Sequence, residues 1–290
     1  MPSEHPCPLC GGERLREVAV VRRWKEPFRV ARCAACSLLH INPRPSDIDL
    51  AKLYGAAYYA GEADYSYADE RQHEPQVQVR AAGRLARVEA MLARDGVATR
   101  RVVELGCAYG VFLDEARRRG WTATGCDVSE EAAAWTRAHR GIDVHVCDLA
   151  DAGLARRSVD LVTGSEVIEH LADPRRTVRA AFEALAPGGV ILFSTANEAS
   201  LARLLRGADW GYFMPGHVVL WSARTLSRLL TDAGFRDVRV TAGDERGLAS
   251  FRAFRRAGGP GSVPGWLVRR IRLGGWTLGA GMVVEGRKRG

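Results

Sequence analysis

Arg101-Val102-Val103-Glu104-Leu105-Gly106-Cys107-Ala108-Tyr109-Gly110 is an apolar strand with an acid near its end, running into a turn of small residues. The pattern predicts a helix from Val111 to Arg119, stopped by Gly120. Strand, glycine-rich turn and helix in that order bring backbone N–H groups and a helix N-terminus close to a ligand. A dinucleotide fingerprint would need G-x-G-x-x-G, and Ala108 and Val111 stand at its second and third glycine positions. What is present is E-x-G-x-A-x-G. Alanine at 108 costs little provided its φ is negative.

That motif resembles the first motif of class I S-adenosylmethionine (SAM) methyltransferases, with Ala108 in place of the middle glycine. The flanking sequence follows the order of the same family. Thr122-Ala123-Thr124-Gly125-Cys126-Asp127 reads as a second strand that ends in an acid 21 residues after Gly106. Ser129 caps the next helix, with Glu130 and Glu131 in its first turn, Arg137 and Arg140 in its last and Gly141 beyond. Val144 to Asp148, Val159 to Ser165 and Gly188 to Ser194 read as further strands, and Ser222 to Gly234 as a capped helix. Phe235 to Thr241 and Gly281 to Arg287 complete the set. The resemblance implies an α/β fold: a doubly wound, Rossmann-like seven-stranded sheet whose last strand is antiparallel. It also implies a cofactor site of Glu104, Gly106, Ala108, Gly110, Asp127, Val128, Asp148, Leu149 and Ser165. In it Asp127 faces the ribose hydroxyls, an acceptor-only carboxylate against a diol, and Asp148 the adenine amino group.

The end of the fourth core strand should carry the chemistry. It reads Ser165-Glu166-Val167-Ile168-Glu169-His170. In a helical turn Glu166, Glu169 and His170 share one side, and two carboxylates with an imidazole suit a divalent cation. E-x-x-E-H with a later histidine, here His217, resembles the ubiquinone-pathway O-methyltransferases and the small-RNA 2′-O-methyltransferases, both metal-dependent. On that reading Glu166, Glu169, His170 and His217 hold Mg, Fe or Zn, which lowers the pKa of the attacking hydroxyl. The competing reading needs no metal: His170 or His217 is the general base and Glu169 orients it. Sugar C-methyltransferases with a zinc ribbon are a further resemblance, although Val167 stands where they carry tyrosine. Trp210-Gly211-Tyr212-Phe213 either walls an acceptor pocket or packs in the core. His5, His40, His73, His139 and His145 lack a comparable context.

Cys7-Pro8-Leu9-Cys10 and Cys33-Ala34-Ala35-Cys36 are two C-x-x-C knuckles 22 residues apart. Each turns tightly enough to aim two thiolates at one metal, and together they make a closed S₄ zinc site. Such a zinc is structural, since no coordination position stays open. Glu17 to Val21 and Phe28 to Arg32 read as a hairpin between the knuckles. Asn42-Pro43-Arg44-Pro45 breaks regular structure, so residues 1–45 form a ribbon and 99–290 the cofactor-binding core. Between them, 46–98 holds Tyr54, Tyr58, Tyr59, Tyr65 and Tyr67, either interdomain packing or a lid, and a helix from Glu74 to Arg94.

The net charge of +8 rests almost wholly on arginine, a compositional bias that weakens a nucleic-acid reading. From Arg252 onward nine basic residues face one acid, Glu285, and this edge is either a solvated face or an anion-attracting one. The expected activity is O-methylation of a small-molecule hydroxyl in a bacterial biosynthetic pathway, with C-methylation of a nucleotide-linked sugar as the alternative enzyme reading. RNA, gripped by this edge, is the alternative from another class, and a non-catalytic cofactor-fold module is argued against by the acids at 104, 127 and 148. No apolar run approaches the roughly 18 residues of a membrane span. The start of the chain lacks both the basic and the apolar part of a secretory signal, which points to the cytoplasm. Oligomeric state is open.

Overall fold

A computed structural model describes residues 5–45, 58, 69–242, 272–273, 276–277 and 281–289. Its centre is β4 (Arg101–Leu105), β5 (Thr122–Asp127), β6 (Val144–Val146), β7 (Val159–Ser165), β8 (Leu185–Ala196), β10 (Arg236–Ala242) and β13 (Gly281–Arg287). They form one seven-stranded sheet in the order β10-β13-β8-β7-β4-β5-β6. Neighbours from β6 to β8 run parallel. β13 is antiparallel to both β8 and β10, so the expected reversal of the last strand is present.

Helices cover both faces, because a parallel sheet has two apolar faces to bury. On one side lies α1 (Glu74–Arg94), whose Ala81, Leu85, Val88 and Leu92 recur at helical spacing and are buried. They meet Val102, Leu161 and Leu192 of the sheet, with Phe112 and Leu113 of α2 (Val111–Arg118). On the other side α4 (Pro174–Ala184) and α6 (Ala223–Asp232) bury Val178, Ala181, Leu226 and Leu229 against Val162, Ile191 and Phe193. α3 (Glu130–Arg140) has the expected Ser129 cap, and Gly141 closes it in the left-handed conformation. The short α5 (Leu201–Arg206) follows β8.

Two boundaries move for local reasons. The third core strand ends at Val146, because Asp148 accepts from the N–H of Ala150 (2.8 Å) and caps a 3₁₀ turn over Leu149–Asp151. The fifth begins at Leu185, three residues earlier than its apolar run.

The ribbon is not a separate bead. β1 (Leu15–Val21), β2 (Phe28–Cys33) and β3 (Leu39–Ile41) form an antiparallel sheet whose fourth strand is β9 (Val219–Leu220). Leu39 pairs with Leu220 and His40 with Val219. Trp210 and Phe213 are buried against Val21, Val30 and Leu39, so of the two alternatives these two rings take the core one, while half-buried Tyr212 stacks on His217. A short hairpin of β11 (Arg272–Leu273) and β12 (Trp276–Thr277) stands before β13. Most of the basic stretch from Arg252 lies outside the described residues. Its last three cations have partners: Arg287 pairs with Asp95, Arg289 with Asp237, and Lys288 donates to the carbonyls of Phe182 and Leu185. Among the described residues no helix is long and apolar enough to cross a membrane.

Candidate active site

The chain turns from one half of the sheet to the other between β4 and β7, and a crevice opens beyond their carboxyl ends, where this architecture places ligands. A cavity of about 1380 Å³ occupies that position. Leu105, Gly106, Ala108, Asp127, Val128, Asp148 and Ser165 line it. Glu104, Gly110 and Leu149 are buried behind that wall. Gly106 has φ +65°, and a Cβ there would fall 2.7 Å from Cγ2 of Val167, so only glycine fits. Gly106→Ala should therefore displace the turn and weaken SAM binding at least about tenfold; equilibrium dialysis checks this against an unchanged far-UV spectrum.

Ala108 departs from expectation. Its φ is +44°, the left-handed region that costs an L-residue about 1–2 kcal/mol. The turn is held there by Asp127, whose two oxygens accept the N–H groups of Ala108 (2.8 Å) and Ser129 (2.9 Å). This acid thus builds the turn as well as facing the crevice. Asp148 is fixed by the hydroxyl of Thr177, at 2.9 and 3.0 Å from its oxygens.

One functional candidate escaped the sequence reading. Arg84 of α1 donates to Oγ1 of Thr163 (2.6 Å) and to Oγ of Ser165, and so fixes a hydroxyl that lines the crevice. The signal was present: Arg84 falls on the apolar stripe beside Ala81, Leu85 and Val88, where a charge needs a reason. Of the tyrosines, Tyr58 lines the cavity and packs against Tyr109. Tyr54, Tyr59, Tyr65 and Tyr67 lie outside the described residues.

Past Ser165 the chain does not continue as a helical turn. Glu166 takes φ +49°, and the tight turn begins at Ile168. Glu166 is thereby turned out of the expected face: it lines the cavity but is not in the group formed by Glu169, His170 and His217. One ligand atom from each of those three lies within 4.8 Å of the others. Nδ1 of His170 sits 2.9 Å from the carbonyl of Gly216, and Nδ1 of His217 sits 2.8 Å from that of Tyr212. A carbonyl only accepts, so each Nδ1 carries the proton and each Nε2 presents the lone pair. The rings meet edge to face at 4.6 Å. Glu169 is 1% exposed and accepts the hydroxyl of Thr195 (2.8 Å); His217 is 3% exposed. Only His170 of the three lines the cavity.

The ribbon grips this cluster from behind. The N–H of Val219, on the strand paired with β3, donates to the carbonyl of Glu169 (3.0 Å), and Ile41 donates to that of Val218 (3.0 Å). Arg23 donates to the carbonyls of Ala208 (3.0 Å), Trp210 (2.9 Å) and Phe213, and Nε1 of Trp24 donates to Phe213 (2.8 Å). These bonds fix the loop that carries His217.

The four knuckle sulfurs lie within 4.8 Å of one another, with Sγ of Cys7 and Cys36 3.5 Å apart and those of Cys10 and Cys33 3.6 Å apart. A tetrahedron with Zn–S of about 2.3 Å has edges of about 3.8 Å, so the spacing fits that ion. A Cβ on Gly12 would fall 3.2 and 3.3 Å from two of the sulfurs, so a bare backbone passes beside them. Burial pushes the Cys7 thiol up to about 11. Burial acts the same way on Cys33, but the N–H groups of Cys36 and Ala35 outweigh it and bring that thiol to about 7.

This fold and crevice define a SAM-dependent methyltransferase. A family described as "Methyltransferase domain" matches residues 71–240, and the chain belongs to it. It is 34% identical over 205 residues to the ubiquinone biosynthesis O-methyltransferase of Pseudomonas fluorescens (strain Pf-5), across 69% of this chain and 71% of that one. With the protein of the same name from Pseudomonas entomophila, identity is 34% over 132 residues, and the chain spans 57% of that relative's length. A SAM-dependent methyltransferase from Archaeoglobus fulgidus superposes with a TM-score of 0.53 at 20% identity, over 74% of this chain and 94% of that one. Haemonchus contortus phosphoethanolamine N-methyltransferase 2 gives 0.51 at 17%, over 71% and 53%. At these identities the likeness is one of fold.

Proposed function

We propose that the chain O-methylates a small hydroxylated metabolite, with His170 as the general base. The carrying observation is the pinned tautomer: Nδ1 of His170 donates to the carbonyl of Gly216, so Nε2 is the basic nitrogen of a histidine that lines the cavity. The name of the Pseudomonas relatives supports oxygen as the acceptor atom. Gly106, Ala108, Asp127, Asp148 and Ser165 would hold SAM, with Arg84 positioning the hydroxyl of Ser165. The acceptor hydroxyl must come about 3 Å from the sulfonium methyl, in line with the breaking bond. As the bond forms, the hydroxyl proton passes to Nε2 of His170, and buried Glu169, held by Thr195, stabilises the imidazolium.

A second reading has its own observation, the convergence of Glu169, His170 and His217. Each imidazole donates its other N–H to a carbonyl, as metal-bound histidines do. A divalent ion there would supply Lewis acidity to the acceptor oxygen. Structural zinc in the Cys7–Cys10–Cys33–Cys36 site is part of the proposal, and four reduced thiols suit the cytoplasm.

Transfer from SAM carrying a ¹³C-methyl tests the acceptor atom. An ether methyl resonance in the product is expected, and a C-methyl resonance would point instead to the sugar C-methyltransferase reading. Turnover should survive EDTA while the ribbon keeps its zinc. Loss that magnesium or iron restores would move the assignment to the metal site.

A further inference from the structure

The cavity is larger than the ~300–1,000 Å³ of a typical small-ligand site, so it has room for more than the cofactor. Besides the cofactor crevice and His170, its lining takes in a second set of residues, here called the second lobe: Pro6, Pro8, Leu9 and Gly11 around the first knuckle, Arg44, and the exposed Arg175, Arg176 and Arg179 of α4. Four guanidinium groups share this lobe with two carboxylates, Asp173 and Asp232. Both carboxylates are engaged: Asp173 caps α4 by accepting the N–H of Arg176 (3.0 Å), and Asp232 pairs with Arg228 (3.2 Å).

The cations are less well matched. Arg176 pairs with Asp151, but Arg175 has no ion pair or hydrogen bond among the described residues. Among the described residues Arg179 pairs only with Glu183, at 4.0 Å, and shares it with Arg156 at 3.9 Å. Arg44 donates to the carbonyl of Ala172 (2.7 Å), while its Nε is buried without a partner. Arg175 and Arg179 stand four residues apart on the exposed face of α4, a like-charge pair that an anion between them would relieve. Guanidinium forks match phosphate oxygens two at a time, which makes a phosphoryl group the best-fitting counter-charge.

We propose that this lobe binds a phosphate or diphosphate group on the methyl acceptor. The anion would anchor the far end of the acceptor on Arg44, Arg175 and Arg179, and its hydroxylated end would lie at His170. The inference rests on the reading of His170 as the methyl-transfer site. It narrows the acceptor to phosphorylated or diphosphate-linked metabolites.

The test uses the full chain saturated with S-adenosylhomocysteine, and titrates pyrophosphate by calorimetry at low salt. Pyrophosphate should bind, more tightly than orthophosphate, with affinity falling steeply as salt rises. Arg175→Ala combined with Arg179→Ala should weaken it at least about tenfold, and the corresponding lysine pair should fall between, with S-adenosylhomocysteine affinity unchanged in both. No binding to the unaltered chain, equal affinity in the alanine pair, or tighter binding of malonate than of pyrophosphate would each overturn the proposal. His170→Ala should keep its pyrophosphate affinity. Retained turnover in that variant sinks the base assignment alone, so the two readings fail separately.

Discussion

Replacing His170 by alanine is expected to slow methyl transfer by about 10²–10⁴-fold, the usual worth of a positioned base, without changing the affinity for SAM. The separation follows from geometry. The cofactor turn is built by Gly106, Ala108 and Asp127, which hold one another through the Ala108–Asp127 bond. His170 lines the same cavity from the turn after β7 and is tied through Nδ1 to the carbonyl of Gly216. Glu169→Gln should cost less, because the amide still accepts from Thr195 but no longer stabilises an imidazolium. Rates by transfer of labelled methyl and affinities by calorimetry measure both effects. A His170→Ala enzyme with undiminished rate removes the base from the account.

The second large effect is expected from the ribbon. Cys36→Ser, or extraction of zinc by a mercurial, should lower turnover by tenfold or more while SAM still binds. Zinc binding in such a small unit is largely its folding energy, about 10–16 kcal/mol in zinc-finger peptides, so three ligands should not hold it. Burial drives the Cys7 thiol up to about 11, so at neutral pH the empty site holds protons that zinc must displace. Affinity for zinc should fall as pH falls. The catalytic consequence comes through β9: once β3 unpairs from it, the backbone ties to Val218 and to the loop held by Arg23 and Trp24 go too. Arg23→Ala is the milder form, removing bonds from a cation to three carbonyls, each worth about 1.5–3 kcal/mol at most. Zinc content by mass spectrometry, read alongside rate, checks the coupling. A Cys36→Ser chain that folds and turns over normally would contradict it.

Most of the core sheet was legible because its strands are local events: an apolar run, an acid or glycine at the end, a capped helix after it. The ribbon hairpin and the four cysteines were legible for the same reason. What escaped were conformations and pairings that depend on distant chain. Ala108 adopts a positive φ because Asp127, 19 residues on, holds its N–H. Glu166 leaves the expected helical face because the chain bends at φ +49° before the turn starts, which the spacing E-x-x-E-H does not reveal. The ribbon's fourth strand is supplied by Val219 and Leu220, some 180 residues after β3, and two residues carry no periodicity to announce it. The four arginines of the second lobe were visible individually. Only the fold brings Arg44 into one cavity lining with the first knuckle and α4.

The most direct test of the central claim is transfer from methyl-labelled SAM into an extract of the source cells, fractionated by size, with the unaltered chain and with His170→Ala in parallel. Label in the small-molecule fraction, present with the first and lost with the second, is the predicted result. Label in RNA or protein, or equal label with both chains, would contradict the account.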